Sequence, residues 1–383
     1  MPVEKIIFWV CGLLLSYTYV GYPVLAWVRA GLRPRLPRAQ DIEPTVTLII
    51  VAHNEAARIA GRIQNLLALD YPRDRVEIVI GSDGSTDLTA QRARAYEQDG
   101  VSVVAFESRR GKPAALNDLV RQARGEIVVL ADARQRFDRD ALRALVGPFA
   151  DPDVGAVSGE LILLSNGGGT PVGDGVGFYW RYEKFIRRHE SLAESTPGAT
   201  GAIYAIRREL FEPVPADTIL DDVLIPLRIA RRGYRVLLEP RARAYDHVAA
   251  TGQEEFTRKV RTMAGKFQLF ARERWLLSPF SNPLWLQTVS RICLRLLVPL
   301  FLSAAFLANL FLVQDGFYVA TLVAQLLFYG AAGGGYLLRN ARRRFPLLIV
   351  PYVVCLLNWT ILVGLARFLT GRQSVTWDRA AAE

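Results

Sequence analysis

At 383 residues, with 51% hydrophobic content and positive mean hydropathy, the chain is too long for one small domain and more apolar than soluble domains usually are. Membrane-crossing segments are therefore the first expectation. A net charge of +10 invites a nucleic-acid reading, but no zinc-finger, homeodomain or RNA-recognition signature accompanies it, and much of the charge flanks apolar runs, where it meets anionic lipid head groups.

Ile6 to Val28 (IIFWVCGLLLSYTYVGYPVLAWV) carries no charge and is long enough to cross a hydrocarbon core of about 30 Å at 1.5 Å per residue. It predicts a transmembrane anchor over residues 1–30. A cleaved signal peptide would be shorter and would end in small residues, where this run has tyrosines, a Pro and a Trp. Arg29, Arg33, Arg35 and Arg38 follow, the last three within a basic linker over 31–44, against one Lys before the anchor. The positive-inside rule then places the following chain in the cytosol.

From Thr45 the chain reads TVTLIIVAHNE, a β-branched run ending in polar residues, then the amphipathic stretch IAGRIQNLLAL, then VEIVIGSDGSTD. That is strand, helix, strand. A second helical stretch, DLTAQRARAYEQ, leads to VSVVAF, and LNDLVRQARG leads to EIVVLADA. Buried strands alternating with helices predict an α/β domain over 45–253 with a doubly wound, mostly parallel sheet, because parallel strands need crossovers and bury both faces. Ligands of such sheets bind at the carboxyl ends of strands. His53-Asn54-Glu55, Asp83-Gly84-Ser85-Thr86-Asp87 and Asp132 sit at those ends. Neither GxGxxG nor GxxxxGK[ST] occurs there, so a dinucleotide fold and a P-loop lack support.

Beyond the domain, EEFTRKVRTMAGKFQLFARERW puts Phe256, Val260, Met263 and Phe267 at helical spacing with basic residues between. Over 254–280 this predicts amphipathic helices on a membrane surface, an ordinary core-facing helix being the plain alternative. Three more apolar runs fill 281–371: about Ile292 to Val313, interrupted by Arg295, then Phe317 to Leu338 and Leu347 to Leu369. The link near Gln314 is expected outside and the basic run Arg339 to Arg344 inside. A full last crossing would export Arg372 and Arg379 of the 372–383 tail, so Pro351 and Asn358 are taken as marks of a broken, re-entrant or interfacial element. Cys11, Cys293 and Cys355 lie in apolar runs without metal-ligand spacing and imply neither disulfide nor zinc site.

VAHNE, GSDGSTD about thirty residues on, GKPAALN, VVLADA, TGAIYAIRREL and LDDVLIPLRIARRGYRV follow one another in order. The set, over roughly residues 45–275, resembles the family 2 glycosyltransferases with a GT-A fold. The apolar flanks narrow the likeness to the membrane group that includes cellulose, chitin and hyaluronan synthases. The resemblance implies inverting transfer of a sugar from a nucleotide diphosphate-sugar, usually a UDP-sugar, to a glycan or lipid-linked acceptor, in the service of extracellular polysaccharide. It places the enzyme in a bacterial inner membrane, with polysaccharide-synthase subunits as possible partners and Mg2+ or Mn2+ as cofactor. Single-sugar transfer to a lipid carrier and an inactive scaffold or nucleotide-sensing subunit are the alternatives.

Carried over residue by residue, the resemblance gives Ala52, Glu55, Asp83, Ser85, Lys112 and Asp132 to the nucleotide-sugar. Asp83 would accept hydrogen bonds from base and ribose, a helix N-cap being its plain alternative. Lys112 would meet the base or phosphate as a point charge, or stand as a solvated loop lysine. The family's DxD motif supplies carboxylates to a hard cation. This chain has Asp132-Ala133-Arg134, leaving Asp132 as the metal ligand, with Arg134 able to replace part of the cation's charge and His247 a weaker candidate ligand. Asp221 and Asp222 match the acidic pair whose second member deprotonates the acceptor, and the neighbouring like charge would raise its proton affinity. Thr200, Gly201 and Arg258 would line the acceptor side. Processive relatives carry QxxRW; here Arg258-Lys259-Val260-Arg261-Thr262 keeps Arg261, suited to the departing diphosphate, but lacks the Gln and the Trp that would stack on the acceptor sugar. That argues against long-chain processive synthesis.

Overall fold

A computed structural model describes residues 2–164, 171–247, 252–338, 346–374 and Thr376. Helix α1, Val3–Leu32, precedes the α/β domain. Its strands are β1 (Val46–Ala52), β2 (Val76–Asp83), β3 (Val101–Phe106), β4 (Ile127–Asp132), β5 (Arg136–Phe137), β6 (Val154–Leu164), β7 (Tyr204–Arg207) and β8 (Arg235–His247). They form one sheet in the order β3-β2-β1-β4-β7-β6-β8-β5. The β3-β2-β1-β4 half is parallel, as is β6 with β8, whereas β7 runs antiparallel to both β4 and β6, and β5 antiparallel to β8. The sheet is thus mixed: β1 to β4, β6 and β8 all run one way, and β7 and β5 run against them.

Both faces are covered, as a doubly wound sheet requires. In β1, Leu48 and Ile50 enter one core, where Ile59, Ile63 and Leu66 of α2 (Ala56–Leu67) meet them at helical spacing. Ile49 enters the other, with Leu116 and Leu119 of α4 (Lys112–Gln122), which follows α3 (Thr89–Arg94) in the chain. Burying a side chain of this size contributes about 1.5–3 kcal/mol, so both faces of β1 hold it in the centre of the sheet. After α5 (Ala141–Val146) and α6 (Pro171–Ala193), helix α7 (Asp221–Arg231) adds Leu224 and Leu227 to the second core.

Gly125 shows how tightly β1 and β4 are joined. Its N–H donates to Thr47 Oγ1 at 2.9 Å, and a Cβ on it would stand 2.5 Å from the Thr47 backbone nitrogen. Gly125→Ala is expected to destabilise the domain by about 1–3 kcal/mol through overpacking, measured as a lowered melting temperature of the detergent-purified protein. An unchanged melting temperature would contradict the contact.

Among the described residues four helices are long and apolar enough to cross a membrane: α1, Trp285–Leu310 (α9), Gly316–Leu337 (α10) and the last, Pro346–Leu369 (α11). Helix α8, Gly252–Arg272, connects them to the domain. The four match the apolar runs of the sequence. The last is one unbroken helix, not an interrupted one: Pro351 falls in its second turn, so the carbonyl it leaves without an N–H partner belongs to the first turn. Asn358 folds its side chain back, donating to Val354 O at 2.8 Å. Phe368 stacks on Phe267 of α8 at 6.3 Å between ring centroids, and Gly364 admits Met263. The end of α11 that leads to Arg372 therefore lies on the domain's side. Arg339 to Arg344 and Arg379 lie outside the described residues.

The same contacts involve α8. Its Val260 is buried, while Met263 and Phe267 of the expected surface stripe are covered by α11, and Gly265 packs on Ile219 and Leu220 of the domain. Protein, not open solvent, covers this stripe.

Candidate active site

The loops after β1, β2 and β4 open on one cleft of about 800 Å³, closed on the far side by α6, the start of α7 and α8. At the first loop, Asn54 takes a left-handed turn (φ 53°), and its Oδ1 accepts from Thr86 N at 2.9 Å. Asp83, 3% exposed at the end of β2, accepts the backbone N–H groups of Arg110 and Gly111, both at 2.8 Å. The carboxylate thus fastens the segment that leads into α4. Gly84 is left-handed (φ 58°), and a Cβ there would come within 2.2 Å of Arg109 N, so this crossing of two loops requires glycine.

Helix capping, the plain alternative for Asp83, belongs to its neighbour: Asp87 accepts Ala56 N at 3.1 Å at the head of α2 and Thr89 N at 2.9 Å at the head of α3. Ser85 also departs from its expected place. Its hydroxyl accepts Asn54 N at 3.2 Å and bonds Ser82 at 2.9 Å, staying within the loop crossing and off the cleft wall. Ala52 and Glu55 do line the cleft.

Lys112, at the first position of α4, points its ammonium between two carboxylates, 2.7 Å from Asp132 and 3.7 Å from Asp221. Burial would push the Lys112 ammonium down, but these carboxylates outweigh burial and hold it above its ordinary value. Burial likewise would raise the Asp132 carboxyl, and Lys112 reverses the shift. Asp222 differs. Burial and the adjacent Asp221 charge push its carboxyl up to about 6, against a smaller opposing pull from Lys112. Gly201 N–H donates to Asp222 Oδ2 at 2.9 Å and fixes the carboxylate's direction. A Cβ at 201 would sit 3.1 Å from that oxygen, which is why a residue without a side chain stands opposite the acid. Thr200, beside it, is held through its N–H to Ser158 Oγ at 3.1 Å.

Arg261 reaches the cleft from α8, together with Arg258, whose guanidinium pairs with Glu255. All the expected site residues except Ser85 share this one cleft. Tyr179, Trp180 and Lys266, which the motifs did not single out, line it too. The motifs also passed over Asp246. This β8 residue, 8% exposed, accepts Gln135 Nε2 at 2.9 Å and lies 3.6 Å from the Arg134 guanidinium. His247, its neighbour and the weaker ligand candidate, donates its backbone N–H to Asp246 Oδ1 at 2.9 Å.

The profile of the family described as glycosyl transferase family 2 matches residues 47–214. The chain carries a family 2 glycosyltransferase domain. The transferase is 26% identical over 277 residues to the poly-beta-1,6-N-acetyl-D-glucosamine synthase of Staphylococcus aureus (strain COL), a match of 71% of this chain and 65% of that protein. With the synthase of Staphylococcus epidermidis it shares 25% identity over 281 residues, 72% of this chain and 66% of the relative. The chain therefore spans about two thirds of the length of these curated relatives. Among solved structures, the mannosyltransferase PcManGT from Pyrobaculum calidifontis, in complex with GDP-Man and Mn2+, superposes over 96% of the transferase and 99% of its own chain, with a TM-score of 0.73 and 26% identity.

The matched stretch of the transferase includes Asp83, Lys112, Asp132 and Gly201 and ends before Asp222 and Arg261. A divalent cation is the family's expectation, and Mn2+ is bound in the similar mannosyltransferase. The donor set here fits such an ion poorly. Among the described residues no group of three or more His, Cys, Asp or Glu side chains gathers as a cage, Arg134 stands in the second DxD position, and the Lys112 ammonium already neutralises Asp132.

Proposed function

We propose that the transferase moves a sugar from a nucleotide diphosphate-sugar to an acceptor hydroxyl, with inversion, using Asp222 as general base. The observation that carries this is one cleft that holds both the Lys112 ammonium and a carboxylate, Asp222, made proton-seeking by burial and by the adjacent Asp221. On one side Lys112 supplies positive charge where Asp83 orders the loop, the surroundings a diphosphate needs. On the other, Asp222 is held by Gly201 and tuned toward neutrality, as a base working near pH 7 should be. In the step itself the acceptor oxygen bonds to the sugar's anomeric carbon as the bond to the diphosphate oxygen breaks. The hydroxyl proton passes to Asp222, and the nucleoside diphosphate leaves beside Arg261.

Of the wall residues, Asp132 is the carboxylate that would face a bound Mg2+ or Mn2+; Lys112 already pairs with it, and Arg134, 3.6 Å from Asp246, lines the same cleft. The relatives named as poly-beta-1,6-N-acetyl-D-glucosamine synthases support a glycan product, and the family resemblance a UDP-sugar donor. The four apolar helices, and the basic run after α1, support an integral protein of a bacterial inner membrane with its cleft on the cytosolic face. An inactive scaffold is disfavoured by geometry, since Asp83, Asp132, Asp222 and Arg261 converge on one cleft.

Nucleotide release by the detergent-purified protein, tested with UDP-, GDP- and dTDP-sugars in Mg2+, Mn2+ or EDTA, checks the reading. Release from one donor class is expected. Nucleotide binding without release from any donor, with lipid extract and oligosaccharides both supplied as acceptors, would count against transfer.

A further inference from the structure

Behind Asp222 the cleft ends in a buried ionic cluster that the transfer chemistry does not use. Glu183 and Glu190 of α6 face four cations: Arg187 of the same helix, Lys266 of α8, and Arg291 and Arg295 in the first half of α9. Arg291 bridges both acids, at 3.1 Å from Glu183 and 2.6 Å from Glu190, and Arg295 pairs with Glu183. Arg187 donates to Ser158 Oγ at 2.8 Å, the same hydroxyl that holds Thr200. Asp222 acts on Arg187 from the cleft side as a third carboxylate, and three carboxylates still leave the four cations in excess. An uncompensated buried charge is costly, so a protein keeps one where a counter-ion comes and goes.

One of the four cations reaches the cleft. Lys266 lines it and makes no hydrogen bond or ion pair among the described residues. Burial, with Arg295, Arg291 and Lys259 nearby and Glu183 opposing them, pushes its ammonium down to about 8, as expected of a cation waiting for an anion. Trp180, also on the wall, has its indole N–H buried without an acceptor, and so do two guanidinium nitrogens of Arg295. Donors without acceptors at a cationic corner fit a phosphate. The setting narrows its source: Arg291 and Arg295 lie within the first half of α9, the second apolar span, and Tyr179, Trp180 and Met263 give the corner an apolar lining.

We infer that this corner is an acceptor subsite for the phosphate of a membrane lipid, with the Lys266 ammonium and the Trp180 indole N–H as its donors, so that a hydroxyl carried on that lipid faces Asp222. The assignment rests on the transfer reading above for the role of the hydroxyl, and on the geometry alone for the anion.

Binding of farnesyl phosphate, farnesol and inorganic phosphate to the full chain in non-ionic detergent tests it, with UDP binding followed in parallel. Farnesyl phosphate is expected to bind at least about tenfold more tightly than either farnesol or inorganic phosphate, and Lys266→Gln to bring it within about threefold of farnesol. Equal binding of farnesyl phosphate and farnesol by the wild type would overturn the subsite, and so would a preference that survives in Lys266→Gln. Inorganic phosphate binding as tightly as farnesyl phosphate would overturn the lipid assignment. The wild-type comparison stands even if the variant fails to fold. Failure of UDP to bind would count against the transfer reading instead, leaving the anion result intact.

Discussion

Asp222→Asn is expected to leave nucleotide binding within about twofold of wild type and to lower transfer by roughly 10²- to 10⁴-fold, the range a positioned general base contributes. The amide keeps the size of the carboxylate, and its oxygen can still accept the Gly201 N–H, so the wall of the cleft is preserved while the proton acceptor is lost. In the wild type the base must be ionised to work. Its carboxyl is pushed up to about 6 by burial and by Asp221, so turnover should fall as pH drops through about 6 and be level above it until another group titrates. Nucleotide release against pH, with UDP binding as control, measures both effects. Normal turnover by the variant would sink the base assignment.

Lys112→Ala is the second change with a large expected effect. The ammonium stands between Asp132 and Asp221 and also pulls the Asp222 carboxyl down, so its loss leaves three acids facing the donor without that cation. Donor binding is expected to weaken by roughly 100-fold or more, comparable to losing one preorganised electrostatic contact. Residual activity should show its acid limb moved to higher pH, because Asp222 loses a neighbour that favours its charged form. Asp221→Asn should move the limb the other way, since it removes a like charge that disfavours ionisation. Unchanged nucleotide affinity in Lys112→Ala would make the residue a loop lysine after all.

The departure from DxD gains a physical setting from Asp246. On sequence, Arg134 is a lost carboxylate. In the fold, Arg134 and Gln135 both turn toward Asp246, brought alongside by the pairing of Arg136 with Tyr245 between β5 and β8. The substitution therefore belongs to a local charge arrangement that spans 111 residues of chain between Gln135 and Asp246.

What the sequence by itself determined about this protein is what local pattern and composition can encode. The β-branched runs at Val46, Val76 and Ile127, each ending in a polar cluster, specify parallel strands whose carboxyl ends face a ligand. The four long apolar runs specify membrane-length helices because their length and scarcity of charge leave little else open to them. Motif order supplied Asp83, Lys112, Asp132 and Asp222, since each sits at the end of an element whose type was already readable.

Only the tertiary structure decided what depends on non-local contact. The division of labour between Asp83, which ties down the Arg110–Gly111 loop, and Asp87, which caps two helices, follows from which amides come within reach. The reversal of β7 turns a parallel sheet into a mixed one, because a strand's direction is set by the crossover before it and not by its own four residues. Lys266, Trp180, Glu183 and Arg295 carry no motif and come from three helices far apart in the chain. Their excess of positive charge exists only once packing has removed them from water, and no single segment holds enough of it to be read.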